Sequence, residues 1–572
     1  MKRFRIIGMT LVIALILSTA SVFACTGVYV GKDVSADGSI LIARSEDQAN
    51  GAYNKLFFAV PRIENQPGRT MDDPINSFSL PLPATTFQYT TLQDYAEGDD
   101  GPYPASCVNE YGVTVIGTVS AYPKEEVLKV DPFVDAGLRE AVLPAAVDCS
   151  VKTAREGVEL LASIVEKYGS AEGNIIFIGD QKEAWIVEIY SGHQWCAQKM
   201  PSDKVAVFGN QYMIGYVDPA DTENVMCSKD LFSLADKNGW TTKVDGKVSL
   251  AATYGEPLDD NPNMRTWGGH YLLAPSTAGT YDGKKYYDLF YTPDKKVSAL
   301  DVMNVERFRY EGTPLDVTLP GNDAFRVIGV ERSSDIHIAQ IRDDYPAAIS
   351  TIQWLCLGNA EHSVFLPALN NITDTNKAYK VDGSVYDPSG AYWKFKRIDG
   401  LSEQNRTYYG KGARDCWSYY ENAMYNRMIN TEWKKIADLY KKDPKAAAAY
   451  STKLADDMAV QAMNQSDQMF NDQLTYIMDV TGHSPSKEII PFEASVPLRY
   501  AADNAGYTVK WAGKDQPITL TKGDTVYTVT VGSADYTVKT GVSAEAKASM
   551  SLAPSLFNGS AFVPLSFAKG LK

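Results

Sequence analysis

The first 25 residues constrain this chain more than any other stretch. Lys2, Arg3 and Arg5 precede the apolar run from Ile6 to Leu17, and Ser21-Val22-Phe23-Ala24 places small residues ahead of Cys25. A basic start, an apolar stretch short for a membrane span and a small-residue exit form a secretory signal pattern. Residues 1–24 are therefore expected to be removed by signal peptidase, which leaves Cys25 with its thiol and a free α-amine on one residue. Their reference pKa values, roughly 8.5 and 7.7–8.0, let both groups exchange protons near neutral pH. A nucleophile that carries its own base needs no separate histidine. Two other outcomes stay open. Val22-Phe23-Ala24-Cys25 partly matches a lipoprotein cleavage box, although the bulky Phe23 fits it poorly; a lipid on Cys25 would make the chain a tethered, non-catalytic binding protein. Alternatively, Cys25 simply starts a buried strand.

The following residues favour the nucleophile. Cys25-Thr26-Gly27-Val28-Tyr29-Val30 is a short β run, Gly31 and Asp37-Gly38 punctuate a turn, and Ile40-Leu41-Ile42-Ala43 is a second run leaving through Arg44-Ser45-Glu46-Asp47. Such a hairpin holds the thiol on a rigid strand and is expected to bring Arg44 and Asp47 beside it. In this arrangement the chain resembles the cysteine dipeptidases of the dipeptidase A type, within the N-terminal nucleophile (Ntn) hydrolases that include choloylglycine and penicillin V acylases. Arg44 and Asp47 match the family's Arg-x-x-Asp pair. The resemblance continues in order through Asn109-Glu110-Tyr111-Gly112-Val113, Trp185 to Glu188, Gly192 to Trp195, Gly209-Asn210-Gln211-Tyr212, Arg265-Thr266-Trp267, Arg309 to Pro314, His337 to Gln340 and Trp354. It covers roughly residues 25 to 485.

The resemblance implies roles for these residues. Acyl transfer needs a nucleophile, a proton shuttle and donors for the oxyanion. Cys25 supplies sulfur and amine, and Asn210 is expected to present its side-chain amide to the oxyanion, with a backbone N–H near Thr118 or Val119 as second donor. Asp47 is expected to orient the Cys25 amine, Arg44 to lower the thiol pKa, and Arg265 to join the same guanidinium cluster. Without the cysteine, Arg44 and Asp47 would read as an exposed ion pair worth about 0–1 kcal/mol. Glu110 and Tyr111 read as turn residues, and Asp301 and Glu306 as the solvated face of a helix.

Composition sets the remaining bounds. The 572 residues suffice for one large or two ordinary domains, and 45% hydrophobic with 22% charged residues is a soluble globular balance. A formal charge of −15, with no Lys/Arg cluster after the signal, disfavours nucleic acid as a partner. The other six cysteines show no Cys-x-x-Cys spacing and the five histidines no His-Glu-x-x-His, so neither metal nor cofactor is expected. Buried free thiols account for those cysteines as well as disulfides do.

The order of elements predicts an α+β chain. A β-rich stretch from 25 to about 120 precedes helices over Phe133–Val142 and Lys152–Tyr168. Strands follow at Asn174–Ile178 and Ala184–Ile189, helices near 226–238 and 298–310, and β runs at 326–341 and 348–357. The resemblance implies how these stack: the four-layer αββα Ntn-hydrolase sandwich. Residues 414–480 are expected to form a helical extension to this 25–485 domain. Beyond Thr481-Gly482-His483-Ser484-Pro485 the composition turns β-rich, and Val496-Pro497-Leu498 returns as Val563-Pro564-Leu565. Residues 486–572 resemble the copper amine oxidase N-terminal-like domain, a module appended to secreted and cell-wall proteins of Gram-positive bacteria; this segment has no His or Cys. It implies attachment to a cell wall, or an accessory role, in such a bacterium. The expected activity is that of a secreted, metal-independent peptidase cleaving dipeptides or short peptides through a thioester on Cys25. An N-acyl amidohydrolase of the bile-salt or penicillin acylase kind is the alternative chemistry.

Overall fold

Three apolar clusters separate four layers of secondary structure. The computed structural model describes residues 25–482, 488–513 and 515–571, with the side chains of Thr118 and Val119 excepted. The expected signal segment lies outside the described residues, as do residues 483–487 of the expected boundary.

One antiparallel sheet runs in the order Val205–Phe208, Thr26–Val30, Ile40–Asp47, Ser333–Ile341, Thr351–Leu357 and Leu366–Leu369. The second has eight strands: Val225–Cys227, Trp195–Lys199, Ala184–Ile189, Asn174–Gly179, Thr114–Ser120, Pro104–Asn109, Tyr89–Asp94 and Lys55–Val60. Side chains alternate across each sheet, so every strand buries two rows. Tyr29, Ile40, Ile42 and Ala339 of the first sheet meet Ile116, Ile175, Phe177 and Ile186 of the second. On the outer face of the first sheet, Val28, Leu41, Ala43 and Ile338 pack with Trp267, Val302 and Met303, carried by the helices Asp260–Leu273 and Ala299–Glu306. On the outer face of the second, Val115, Ile176, Ile178 and Val187 pack with Leu143, Val147, Val158 and Leu161 from the helices Leu143–Asp148 and Ala154–Tyr168. Helix, sheet, sheet and helix thus stack in the αββα order.

Two expectations need correction here. Phe133–Val142 is not helical; Val134 N–H donates to the Ser170 carbonyl at 2.9 Å and Leu138 N–H to that of Gly169 at 2.8 Å. A Cβ on Gly137 would lie 2.8 Å from the Gly169 carbonyl oxygen, so close packing along residues 169–170 overrides the local apolar spacing, and the helix starts only at Leu143 with Pro144 in its first turn. Near 226 the chain begins as the strand Val225–Cys227, and helix follows over Leu231–Asn238.

The C-terminal helices Ala391–Glu403, Lys411–Arg427, Trp433–Tyr440 and Pro444–Thr481 cover the far end of the first sheet. The expected helical extension is interrupted at Lys441–Asp443, where Asp443 caps the last helix by accepting from Lys445 N at 3.0 Å and Ala446 N at 3.1 Å. Asp followed by Pro at the first helical position is itself a start signal. The internal repeat becomes a pseudo-symmetric pairing: Ser495–Pro497 runs antiparallel to Ser560–Pro564 with Val496 opposite Val563, and each copy leads into a short helix. A five-stranded antiparallel meander from Thr508 to Ser549 completes this module. It packs on the extension through stacked Tyr420 and Tyr500, with ring centroids 4.4 Å apart. Among the described residues, no helix is long and apolar enough to cross a membrane.

Candidate active site

Cys25 lies at the start of the inner hairpin, and strand alternation decides what surrounds it. Gly27 pairs with Arg44 and Thr26 with Ser45, so Cys25, Arg44 and Glu46 share the face between the sheets, while Thr26, Ser45 and Asp47 face the helices. Arg44 Nη2 donates to Cys25 Sγ at 3.3 Å and to the Tyr103 hydroxyl at 3.2 Å. Its Nη1 donates to Glu46 Oε2 at 3.1 Å and to the Ala105 carbonyl at 3.5 Å. Cys25 is fully buried. That burial outweighs Arg44 and pushes the thiol up to about 11, with Asp47 and Glu46 adding to the rise. The expected lowering of its pKa is therefore not met while Cys25 is joined to the residues before it, because desolvation of the thiolate exceeds the attraction of one guanidinium.

Arg44 is held from behind by a residue that the sequence did not single out. Lys55 is completely buried and bridges Glu46 at 2.6 Å, Asp335 at 3.3 Å and, at short range, Asp94. Lys55 and Asp94 face each other across the second sheet, and Glu46 and Asp335 across the first. Lys55 thus ties both sheets at the end where the thiol sits and keeps the Glu46 carboxyl below its usual range, against the burial that raises it. Replacing Lys55 with methionine leaves three buried carboxyl groups facing each other. We expect a loss of about 3–5 kcal/mol in denaturant unfolding at pH 7. Without Lys55 the folded-state carboxyl pKa values rise above their unfolded values, so the deficit grows as pH climbs past the ordinary carboxylate range. It should accordingly be smaller at pH 5, and a pH-independent loss of under about 1 kcal/mol would contradict the assignment.

Asp47 sits on the opposite face from the sulfur. It accepts from the Ser333 hydroxyl and pairs with Arg326, both closely. Arg265 reaches the same side from the helix Asp260–Leu273 and meets the main chain of Cys25 rather than its thiol. Its Nη1 donates to the Cys25 carbonyl and, at 3.3 Å, to Thr26 Oγ1. Its Nη2 donates to Asn210 Oδ1 at 2.9 Å and its Nε to the Asn261 carbonyl at 3.2 Å. Burial, reinforced by Arg326, lowers this guanidinium to about 9. Asn210 Nδ2 in turn donates to the Ser120 carbonyl at 2.9 Å. The register of the strand Thr114–Ser120 slips between Ile116 and Val119, a β-bulge next to both expected backbone donors, Thr118 and Val119. Glu188 steadies the Asn210 loop, its Oε1 accepting from Met213 N at 2.6 Å and Ile214 N at 3.1 Å.

A cavity of about 210 Å³ opens beside this cluster, with Asn210, Arg265, Arg326, Arg332, Tyr122, Glu256 and Asp259 among its lining residues. A larger cleft of about 480 Å³ lies between the helical extension and the C-terminal module and shares none of these residues. Glu306, read from sequence as solvated, is buried, and its carboxyl is driven well above the ordinary range by desolvation and then by Asp47.

Residues 24–419 match peptidase family C69. The chain belongs to that family. The chain is 36% identical over 451 residues to the probable dipeptidase B of Streptococcus pyogenes serotype M1, covering 76% of this chain and 90% of that protein. It is 29% identical over 469 residues to a probable dipeptidase of Latilactobacillus sakei, covering 80% and 98%. A mutant of the conjugated bile acid hydrolase from Clostridium perfringens aligns over 63% of this chain and 95% of its own, at 14% identity and a TM-score of 0.28. Residues 492–570 match the copper amine oxidase N-terminal domain. The C69 domain joins Arg44 to the Cys25 sulfur, and the Cys25 carbonyl through Arg265 to Asn210, with Asp47 on the adjoining face. The stretch 92–104 supports the site through Asp94, which pairs with Lys55, and Tyr103, which accepts from Arg44. Lys55, Tyr103, Arg326 and Arg332 carried no local sequence signal.

Proposed function

We propose that this protein is a secreted, metal-independent cysteine dipeptidase whose nucleophile is Cys25 at the mature N-terminus. The observation that carries this reading is the convergence of Arg44 on the Cys25 sulfur, 3.3 Å away, and of Arg265 on its carbonyl, with Arg265 also bonded to Asn210. Removal of residues 1–24 turns the Cys25 amide into an amine able to accept the thiol proton. Sulfur then attacks the scissile carbonyl, and the Asn210 amide and a backbone N–H at the Thr118–Val119 bulge stabilise the oxyanion. The amine protonates the leaving amino group as the thioester forms, and water hydrolyses the thioester. The probable dipeptidases among the relatives support a dipeptide substrate. So does the cavity, which sets arginines on its inner wall and the exposed Glu256 and Asp259 at its rim: a zwitterion needs both signs. Its volume is below the 300–1,000 Å³ of sites for larger ligands. The C-terminal module is assigned to cell-surface attachment.

The test is a panel of free dipeptides against N-acyl amino acids, assayed with the chain that begins at Cys25 and repeated with a chelator. Dipeptides should be cleaved with kcat/KM on the order of 10⁴ M⁻¹s⁻¹ or more, unchanged by the chelator. Preferential cleavage of the N-acyl amino acids would replace this reading with the amidohydrolase.

A further inference from the structure

We propose that Cys196 and Cys227 form a disulfide that clamps the edge strand of the eight-stranded sheet and, with it, the segment carrying Asn210. This goes beyond the peptidase reading and draws on it only for the oxidising surroundings that a secreted chain meets. Both residues are thiols in this structure, and the register of the sheet places them to join. The strand Val225–Cys227 lies at the edge of the sheet against Trp195–Lys199, with Cys196 directly opposite Cys227. In an antiparallel pair, opposed residues alternate between hydrogen-bonded and non-hydrogen-bonded positions. Ser228 N–H donates to the Trp195 carbonyl at 3.0 Å, and Lys199 N–H to the Asn224 carbonyl at 2.9 Å. Those two positions are bonded, as is Ala197 opposite Met226 between them, which makes Cys196 opposite Cys227 a non-hydrogen-bonded position. There the Cα atoms approach to about 4.5 Å and the two side chains stand on one face. A disulfide spans Cα atoms roughly 4.4–6.8 Å apart, so rotation of two side chains closes the bond without moving the backbone.

The surroundings agree. Both side chains belong to the apolar cluster between the sheets, Cys196 fully buried and Cys227 half-buried at its margin. Glu188 stands opposite Cys196 on its other flank, but its carboxylate is engaged by Met213 N, Ile214 N and the Tyr190 hydroxyl. Burial pushes the Cys196 thiol well up, and Cys227 adds to the rise, as close neighbours do. The bond closes a loop of about 30 residues. That loop leaves the second sheet after Lys199, crosses the first as Val205–Phe208, carries Asn210 and returns at Val225. Without the bond, an edge strand of three residues is held by one neighbouring strand alone.

The oxidant is a low-molecular-weight disulfide. Cys227, the more exposed thiol, attacks one of its sulfurs as the thiolate and displaces one thiol, leaving a mixed disulfide. Cys196 then attacks Cys227 Sγ and releases the second. The protein's two thiols are oxidised while one disulfide is reduced to two thiols, and the two protons lost by the cysteines end on those released thiols.

The test equilibrates protein beginning at Cys25 with oxidised glutathione, traps it with N-ethylmaleimide in denaturant and maps it unreduced by mass spectrometry. Cys196 and Cys227 should be recovered in one linked peptide, with Cys107, Cys149, Cys356 and Cys416 alkylated. Dithiothreitol should then lower the unfolding midpoint of wild-type protein by about 3 °C and leave that of Cys227→Ser unchanged. Alkylation of both Cys196 and Cys227, glutathione on Cys227 beside a free Cys196, or a link from either to another cysteine would overturn the pairing. A link whose reduction leaves the midpoint in place would overturn the clamp. Mapping protein from the culture medium keeps the two readings apart. A chain absent from the medium removes secretion, and the glutathione result still decides the pair.

Discussion

Cys25→Ala protein beginning at residue 25 is expected to lose dipeptide hydrolysis by on the order of 10⁴-fold or more, the usual consequence of deleting a nucleophile. The fold should survive. Arg44 keeps the Tyr103 hydroxyl, Glu46 and the Ala105 carbonyl when the sulfur is gone, and alanine removes a single heavy atom. Circular dichroism and the unfolding midpoint should therefore match wild type while kcat/KM collapses. Cys25→Ser retains the α-amine and a weaker nucleophile, so it should fall between the two. Undiminished hydrolysis by the alanine variant would remove Cys25 from the mechanism altogether.

The second large effect is expected at Arg265, whose side chain bonds both the nucleophile's main chain and the side chain assigned to the oxyanion. Arg265→Met withdraws donors from the Cys25 carbonyl, Asn210 Oδ1 and the Asn261 carbonyl at once. With its carbonyl oxygen deprived of that donor, the Asn210 amide loses the contact that fixes which way its N–H groups point. A fall in kcat of about 10²–10³-fold follows if the oxyanion donor is lost, with a much smaller change in KM. Each buried acceptor left unpaired costs about 1–3 kcal/mol, so the unfolding free energy should drop as well. Activity must accordingly be read well below the new melting point. Asn210→Ala separates the two roles: if Arg265 works partly through Asn210, the double variant loses less than the sum of the single losses. A wild-type kcat in Arg265→Met would show that the contact with Asn210 is only structural.

What could be read from sequence and what could not divide along a physical line. The hairpin from Cys25 to Asp47 was legible because its signals are local: β-branched runs, glycine turns and a charged exit. Its pairing, Gly27 with Arg44, then follows. The repeat Val496-Pro497-Leu498 and Val563-Pro564-Leu565 was legible as a repeat, and its two valines pair directly. Asn210 and Arg265 were reached only through the resemblance, since an asparagine after a glycine carries no signal of its own. Lys55 was invisible for a different reason. Its partners Glu46, Asp94 and Asp335 come from both sheets and meet only when the sheets stack, so the charge balance exists in the fold and not along the chain. The thiol pKa failed in the same way. Arg44 was correctly placed beside the sulfur, but burial, a property of the whole sandwich, dominates the shift. At 133–142 the apolar spacing suggested a helix, yet the N–H groups of Val134 and Leu138 bond the carbonyls of Ser170 and Gly169, far along the chain, instead of carbonyls one turn back.

The proposed mechanism requires a free N-terminal Cys25, and alkylation reads the state of that residue. Iodoacetamide should be applied at pH 7.5 to two forms, the chain beginning at residue 1 and the chain beginning at Cys25, with peptide mapping and dipeptide assay in parallel. In the longer form the thiol is pushed up to about 11. Thiolate is then scarce at neutral pH, and labelling at Cys25 should be slow, rising tenfold per pH unit up to that value. In the form beginning at Cys25, the new amine and the freed chain end should allow rapid labelling of Cys25, inactivation in step with labelling, and protection by a dipeptide. Activity that survives complete alkylation of Cys25, or that is equal in the two forms, would contradict the N-terminal nucleophile.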